Sequence, residues 1–177
     1  MIGAGPIGAA SVLAARAAQA VQVMVAEPVP ERRELLMRLG ATATLDPAEY
    51  PVHRAVRQAT GGDGADVVIE TSGAAGSLQT ALKSARRRGT VVIPALGNAD
   101  YELDGRQVVL YERRMIGSLG CNRDLPRVLD LIATGAISTE PMISGIFGLA
   151  DGPRVFEEMA SRAGGHFKPL IRVSEGS

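Results

Sequence analysis

The stretch MIGAGPIGAAS (Met1–Ser11) carries Gly3, Gly5 and Gly8 in the spacing G-x-G-x-x-G, and its reading decides how the rest of the chain is understood. Each glycine has a mechanical job in a strand-to-helix turn. The first permits a tight turn, the second removes a side chain so that an anion can approach the backbone, and the third lets helix and strand pack closely. A helix that starts at such a turn aims unpaired N–H groups and its positive dipole end at the anion. Pro6 suits the first helical position, where a missing N–H costs little. PIGAASVLAARAAQA therefore reads as a helix. A strand of about five or six residues should precede the turn, yet only Met1 and Ile2 stand there.

Downstream, strands and helices alternate. VQVMVAE (Val21–Glu27) is an apolar, β-branched run of buried-strand type. ERRELLMRLGA (Glu31–Ala41) reads as a helix stopped by Gly40. ATATLD then gives a short strand, VHRAVRQATGG a helix, and ADVVIETSG another buried strand. GSLQTALKSARRRG is expected to be a helix with Arg86, Arg87 and Arg88 in its last turn, where positive charge is favoured. GTVVIPALG and RRMIGSLG follow as strands and LPRVLDLIATG as a helix. This alternation implies an α/β fold with a doubly wound, Rossmann-type parallel sheet whose first strand is truncated. From Glu140 to Ser144 onward the rhythm changes to a loop, one helix and a terminal strand. Two segments are expected: residues 1–142 as the nucleotide-binding domain and 143–177 as a different structural layer.

The 177 residues suit one domain or one domain plus part of another. Lys+Arg and Asp+Glu balance at 19 each, so no global charge points to a nucleic acid or a membrane surface. The single cysteine, Cys121, excludes an internal disulfide and fits a reducing compartment. IGAASVLAA followed by AQA imitates a signal peptide, but no basic residue precedes Arg16 and no apolar run is long enough to span a bilayer. A cytoplasmic protein is expected.

Glu27 gives the glycine pattern a chemical identity. It ends the second strand nineteen residues after Gly8, where an acid accepts hydrogen bonds from the adenosine ribose hydroxyls of a dinucleotide. A 2′-phosphate there would meet a carboxylate, which favours NAD over NADP; Arg32 and Arg33 nearby pull the other way, because Arg welcomes phosphate. Hydride chemistry also needs a group that moves a proton and polarises a C–O bond. None is evident: Tyr50, Tyr101 and Tyr111 have no lysine four residues on, and Cys121, His53 and His166 lack the spacing of metal ligands. No catalytic residue and no metal site is therefore assigned.

The ordered segments GAGPIG, Glu27, RRELLMRLGAT, GADVVIETSGAAGSLQTAL, RRGTVVIPALG, ERRMIGS, VLDLIATGAI, EPMIS and GGHFKPLIRV run almost end to end. Together they resemble the cofactor-binding half of the zinc-dependent medium-chain alcohol and polyol dehydrogenases, in the threonine, sorbitol and butanediol branch. The resemblance implies that an N-terminal catalytic domain carrying the zinc is missing and that residues 143–177 would return to it. It further implies NAD-dependent oxidation of a secondary alcohol or polyol, with zinc only in that missing domain. Carried over by position, Gly3, Gly5, Pro6, Ile7 and Gly8 form the pyrophosphate turn, with Ile7 behind the nicotinamide. Glu27 holds the ribose, Arg32 lies against adenine, and Thr71 and Ser72 line the other side of that pocket. The backbone around Pro94, Ala95 and Leu96, with Ser118, Leu119 and Gly120, meets the carboxamide end; Lys168 reaches the pyrophosphate. PALG departs from the usual glycine-containing turn, and Pro94 deletes a backbone donor. The family pattern is compatible with a homo-oligomer joined through the sheet edge, RRMIGSLG to EPMIS. Two other readings stay open at this point: a stand-alone nucleotide-binding module or inactive fragment without catalysis, and a methyltransferase, another doubly wound fold.

Overall fold

Ile2 is the residue on which the sheet turns. In the computed structural model, which describes residues 1–97, 101–120, 123–161 and 165–173, it forms parallel bridges to Ala26 on one side and Glu70 on the other. It thereby joins two groups of parallel strands. On one side β1 (Met24–Ala26) pairs with β2 (Ala43–Leu45). On the other, β3 (Ala65–Ile69) pairs with β4 (Ala85–Ile93), which pairs with β5 (Arg114–Gly117). The lateral order is β2, β1, Ile2, β3, β4, β5, all parallel, and it reverses direction at Ile2 as in a doubly wound sheet.

Helices cover both faces. α1 (Pro6–Ala17) and α2 (Pro30–Arg38) bury Val12, Leu35 and Leu36. α3 (Val52–Ala59) sets Val52 and Val56 against Ala26, Met24 and Leu45. Val25, one residue along from Ala26, points the other way by strand alternation and is just as buried, so β1 is sandwiched. α4 (Ser77–Ser84) lays Leu78, Ala81 and Leu82 on Ile2, Val68 and Val91, with Val108 of the short α5 (Arg106–Val109) beside them. Side chains such as Leu36 and Leu82, fully removed from water, each stabilise the fold by roughly 2–3 kcal/mol. α6 (Leu125–Ala133) follows β5.

Two local expectations are corrected. Arg86, Arg87 and Arg88 do not close a helix: α4 stops at Ser84 and the arginines open β4. The register jumps there from Ala65↔Ala85 to Val67↔Thr90, with Arg88 at φ 58° inside the irregularity. Arg86 reaches Asp66 at 2.6 Å, while Arg87 and Arg88 both reach Glu112, so cross-strand carboxylates take the place of the expected helix end. The C-terminal segment also holds one strand more than the sequence pattern suggests.

The chain divides into two compact units, Met1–Ile137 and Ser138–Ser177. In the second, β6 (Gly145–Gly148) pairs in parallel with β7 (Pro169–Arg172), joined through α7 (Gly152–Ala160). β6 is short and glycine-bounded (GIFG), which hid it from a search for apolar alternation.

Candidate dinucleotide site

The glycine turn begins where the backbone of Ile2 and Gly3 is held from both sides. Ile2 N–H donates to the Ile69 carbonyl and Gly3 N–H to the Ala26 carbonyl, each at 2.9 Å. Gly3 has φ +93°, and a Cβ there would press within 3.0 Å of Thr71 Oγ1 and of the Ser72 backbone nitrogen. Only glycine takes that conformation cheaply. Gly8 is required for a different reason: its Cβ would sit 2.3 Å from the Gly3 carbonyl oxygen, so α1 can lie on the turn only without a side chain. Around Gly5 the opposite holds, because a Cβ would meet nothing within 4 Å. Gly5 is also the N-cap of α1 and offers no capping side chain. The first-turn N–H groups of Ile7 and Gly8 have no acceptor among the described residues. A cradle with free donors, a helix N-terminus and no Cβ on its floor is what a pyrophosphate needs.

Glu27 faces this turn. It is buried, its Oε2 accepts the Ala4 N–H at 2.7 Å and its Oε1 the Val29 N–H at 3.1 Å. The carboxylate thus bridges the end of β1 and the glycine turn. Arg33 lies beyond it: one guanidinium nitrogen donates to the Glu27 and Pro28 carbonyls at 2.7 and 2.8 Å and pairs with Asp46 at 3.0 Å. Arg32 is half-buried and makes no hydrogen bond or ion pair among the described residues.

Thr71 braces the turn from the β3 side. Its hydroxyl donates to the carbonyls of Ile2 and Gly3 at 2.9 and 3.1 Å. Ser72 Oγ donates to Glu70 at 2.5 Å and accepts the Ala74 N–H. The sequence reading did not single out Glu70, although two apolar runs end alike, VMVAE at Glu27 and DVVIE at Glu70. An acid closing an apolar strand was the signal that could have found it.

The remaining candidates end neighbouring strands. The Ala95 carbonyl accepts the Tyr101 hydroxyl at 3.3 Å, while Leu96 is exposed. Ser118 N–H donates to the Ile93 carbonyl at 3.2 Å; Leu119 and Gly120 follow, exposed, with Gly120 at φ +70°. Gly3, Glu27, Thr71, Ala95 and Ser118 all lie just past the C-terminal ends of parallel strands or of the Ile2 bridge, where doubly wound folds bind ligands. Lys168 belongs to the second unit, where its backbone N–H donates to Ser144 Oγ and its carbonyl accepts the Ser144 N–H.

A family model described as zinc-binding dehydrogenase matches residues 6–134. The chain belongs to that family. Among curated proteins, it is 32% identical to a probable D-xylulose reductase A of Arthroderma otae, over 99% of this chain and 50% of that protein. Among solved structures, 2R,3R-butanediol dehydrogenase from Bacillus subtilis superposes with a TM-score of 0.90 at 28% identity, covering 98% of this chain and 50% of that one. A zinc-binding dehydrogenase from Sinorhizobium meliloti solved with NADP bound gives a TM-score of 0.88 at 32% identity, covering 97% and 51%. The chain spans about half the length of these relatives.

Among the described residues no group of three or more His, Cys, Asp and Glu is placed to hold a metal ion. Cys121 lies outside the described residues. His166 pairs with Glu158 at 2.7 Å, and hydrogen bonds from His166 and Arg154 hold the Glu158 carboxyl below its ordinary range. A nicotinamide dinucleotide fits the residues present.

Proposed function

We propose that this chain is the NAD(H)-binding part of an oxidoreductase that moves hydride between a secondary alcohol or polyol and nicotinamide. The observation that carries the reading is Glu27: its carboxylate reaches into the glycine turn at Ala4, beside the open floor at Gly5. Bound there, the dinucleotide supplies the hydride acceptor. The chain's own residues bind and orient it. Gly5, with the free N–H groups of Ile7 and Gly8, receives the pyrophosphate, and Glu27 accepts from the ribose hydroxyls. The exposed side chain of Ile7 backs the nicotinamide. Arg32 lies at the adenine, Ser72 with the Thr71 backbone forms its other wall, and Ala95, Leu96 and the Ser118–Gly120 segment meet the carboxamide. Residues 143–177, with Lys168, belong to a layer that completes the catalytic portion of the relatives. Zinc, with the proton transfer, belongs to sequence outside these 177 residues.

The cofactor is NAD rather than NADP on this reading, because a 2′-phosphate would face the buried Glu27 and because Arg33 is committed to Asp46 and two carbonyls. The substrate class follows the names of the relatives, a xylulose reductase and a butanediol dehydrogenase. No helix among the described residues is long and apolar enough to cross a membrane; the cytoplasmic location we assign is in keeping with the single cysteine of the sequence. β5, with Ile116 exposed, is the last described strand of its sheet and is the edge we assign to a homo-oligomer contact, which light scattering tests.

The test is a parallel titration with NAD and NADP, together with NADH production from sorbitol and butanediol. Binding of NAD ahead of NADP without turnover by the 177-residue chain supports the proposal. A preference for NADP removes the role given to Glu27, and clear turnover contradicts the assignment of catalysis to other sequence.

A further inference from the structure

At the opposite end of the sheet from the glycine turn, where α3 ends and β4 begins, the first unit carries a cavity of about 400 Å³. Arg57, Gly62, Asp63, Arg86, Arg87 and Tyr111 line it. A chain whose positive and negative side chains balance at 19 each thus brings three guanidinium groups to one opening. None of the residues given to the dinucleotide is among them.

The carboxylates nearby do not saturate these arginines. Arg86 directs Nε to Asp66 at 2.6 Å and Nη1 to the Arg87 carbonyl at 2.9 Å, which leaves Nη2 unpartnered among the described residues. Arg87 gives Nη2 to Glu112, which also accepts Arg88 Nε at 2.8 Å, so one carboxylate serves two cations. Arg57 donates Nη1 to the Gly62 carbonyl at 3.2 Å and has no carboxylate partner among the described residues. Behind the lining, Arg113 lies 4.2 Å from the centre of the Tyr111 ring. Burial depresses the pKa of Arg113, and the positive charge of Arg57 adds to the effect, so these two cations sense each other.

The backbone here is held in unusual conformations. Arg88 and Glu112 have φ of 58° and 51°, and the Arg88 N–H donates to the Tyr111 carbonyl at 2.9 Å. Left-handed residues that carry side chains persist where their surroundings enforce them, and they gather at ligand clamps. Arg57 stands in the last turn of α3 and complements its dipole, but that requires one cation, not three converging on a cavity. Guanidinium groups with unused N–H donors match phosphoryl oxygens. The volume exceeds what an inorganic ion fills and lies in the range of small-molecule pockets, about 300–1,000 Å³.

We propose that this cavity binds a small organic phosphate monoester. Arg57, Arg86 and Arg87 share the phosphoryl oxygens, and Tyr111 packs against the organic part. The assignment is independent of the dinucleotide reading and stands or falls separately from it.

Amide NMR of the whole chain tests it, during titration with inorganic phosphate and with phenyl phosphate at a constant ionic strength of about 0.15 M. Both probes give saturating shifts at Gly62, Asp63, Arg87 and Tyr111. Phenyl phosphate binds about threefold more tightly or better, because the aromatic wall adds a contact that the ion lacks. Arg57→Gln weakens phenyl phosphate by about fivefold or more, the loss of one charge-assisted contact. Shifts confined to residues 3–8 place the anion in the glycine turn and overturn the proposal. A drift that never saturates, or Arg57→Gln binding like wild type, overturns it too. Equal affinity for the two probes overturns the assignment to an ester. Should Arg57→Gln lose its fold on circular dichroism, Arg87→Gln, at an exposed position, takes its place with the same expected loss.

Discussion

Exchanging Gly8 and Gly5 separately for alanine pulls apart two jobs that one motif performs. In Gly8→Ala the new Cβ lies 2.3 Å from the Gly3 carbonyl oxygen and 3.1 Å from Thr71 Oγ1. The nearer atom is backbone, hydrogen-bonded in place by Thr71, and cannot rotate away. Relief requires α1 to rise from the turn by about 1 Å, an overpacking strain of about 2–3 kcal/mol. For a chain of this length that lowers the melting temperature by roughly 5–10 °C. In Gly5→Ala the Cβ enters open space, and the only cost is the weaker N-cap, about 1 kcal/mol at most. The same methyl group stands where phosphate oxygens must approach, so NAD affinity falls by about tenfold or more. Thermal melts and calorimetric titration of both variants read the two effects independently. Gly8→Ala melting within about 1 °C of wild type, or Gly5→Ala keeping its NAD affinity, would refute the assignment of roles.

Other outcomes follow from the same contacts. Glu27→Ala strands the Ala4 and Val29 N–H groups, which costs about 1–3 kcal/mol in urea unfolding and brings the NAD and NADP dissociation constants within about threefold of each other. Arg113 is buried and, among the described residues, donates to the Ala85, Arg86 and Gln107 carbonyls and the Gln107 side chain, so Arg113→Met leaves carbonyls unpaired and destabilises by about 2–4 kcal/mol, while NAD affinity in the still-folded fraction is unchanged.

Much of this was written in residue order and type. The alternation of apolar β-branched runs with amphipathic helices specified a parallel sheet, because such strands need helical cover on both faces. Gly3 and Gly8 were legible because their constraints are local to the turn, and Glu27 because a strand end at fixed distance from the glycines is a short-range relation. Arg86–Arg88 were misread because helix-end charge and cross-strand pairing look alike until Asp66 and Glu112, far away in sequence, arrive beside them. β6 was missed because GIFG has too few side chains for a period to register. Glu70 escaped because its partners, Ser72 and Gly73, are its own neighbours and gave no long-range pattern, while its burial comes from the three-dimensional packing of β3 beside Ile2.

Amide NMR of the isotopically labelled chain during NAD addition addresses the site at its centre. The largest shifts are expected at Gly3, Ala4, Gly5, Ile7 and Gly8, with Val29 moving as the Glu27 carboxylate exchanges backbone donors for ribose hydroxyls. Saturating NAD that leaves these resonances in place, or that moves a different set, contradicts the account.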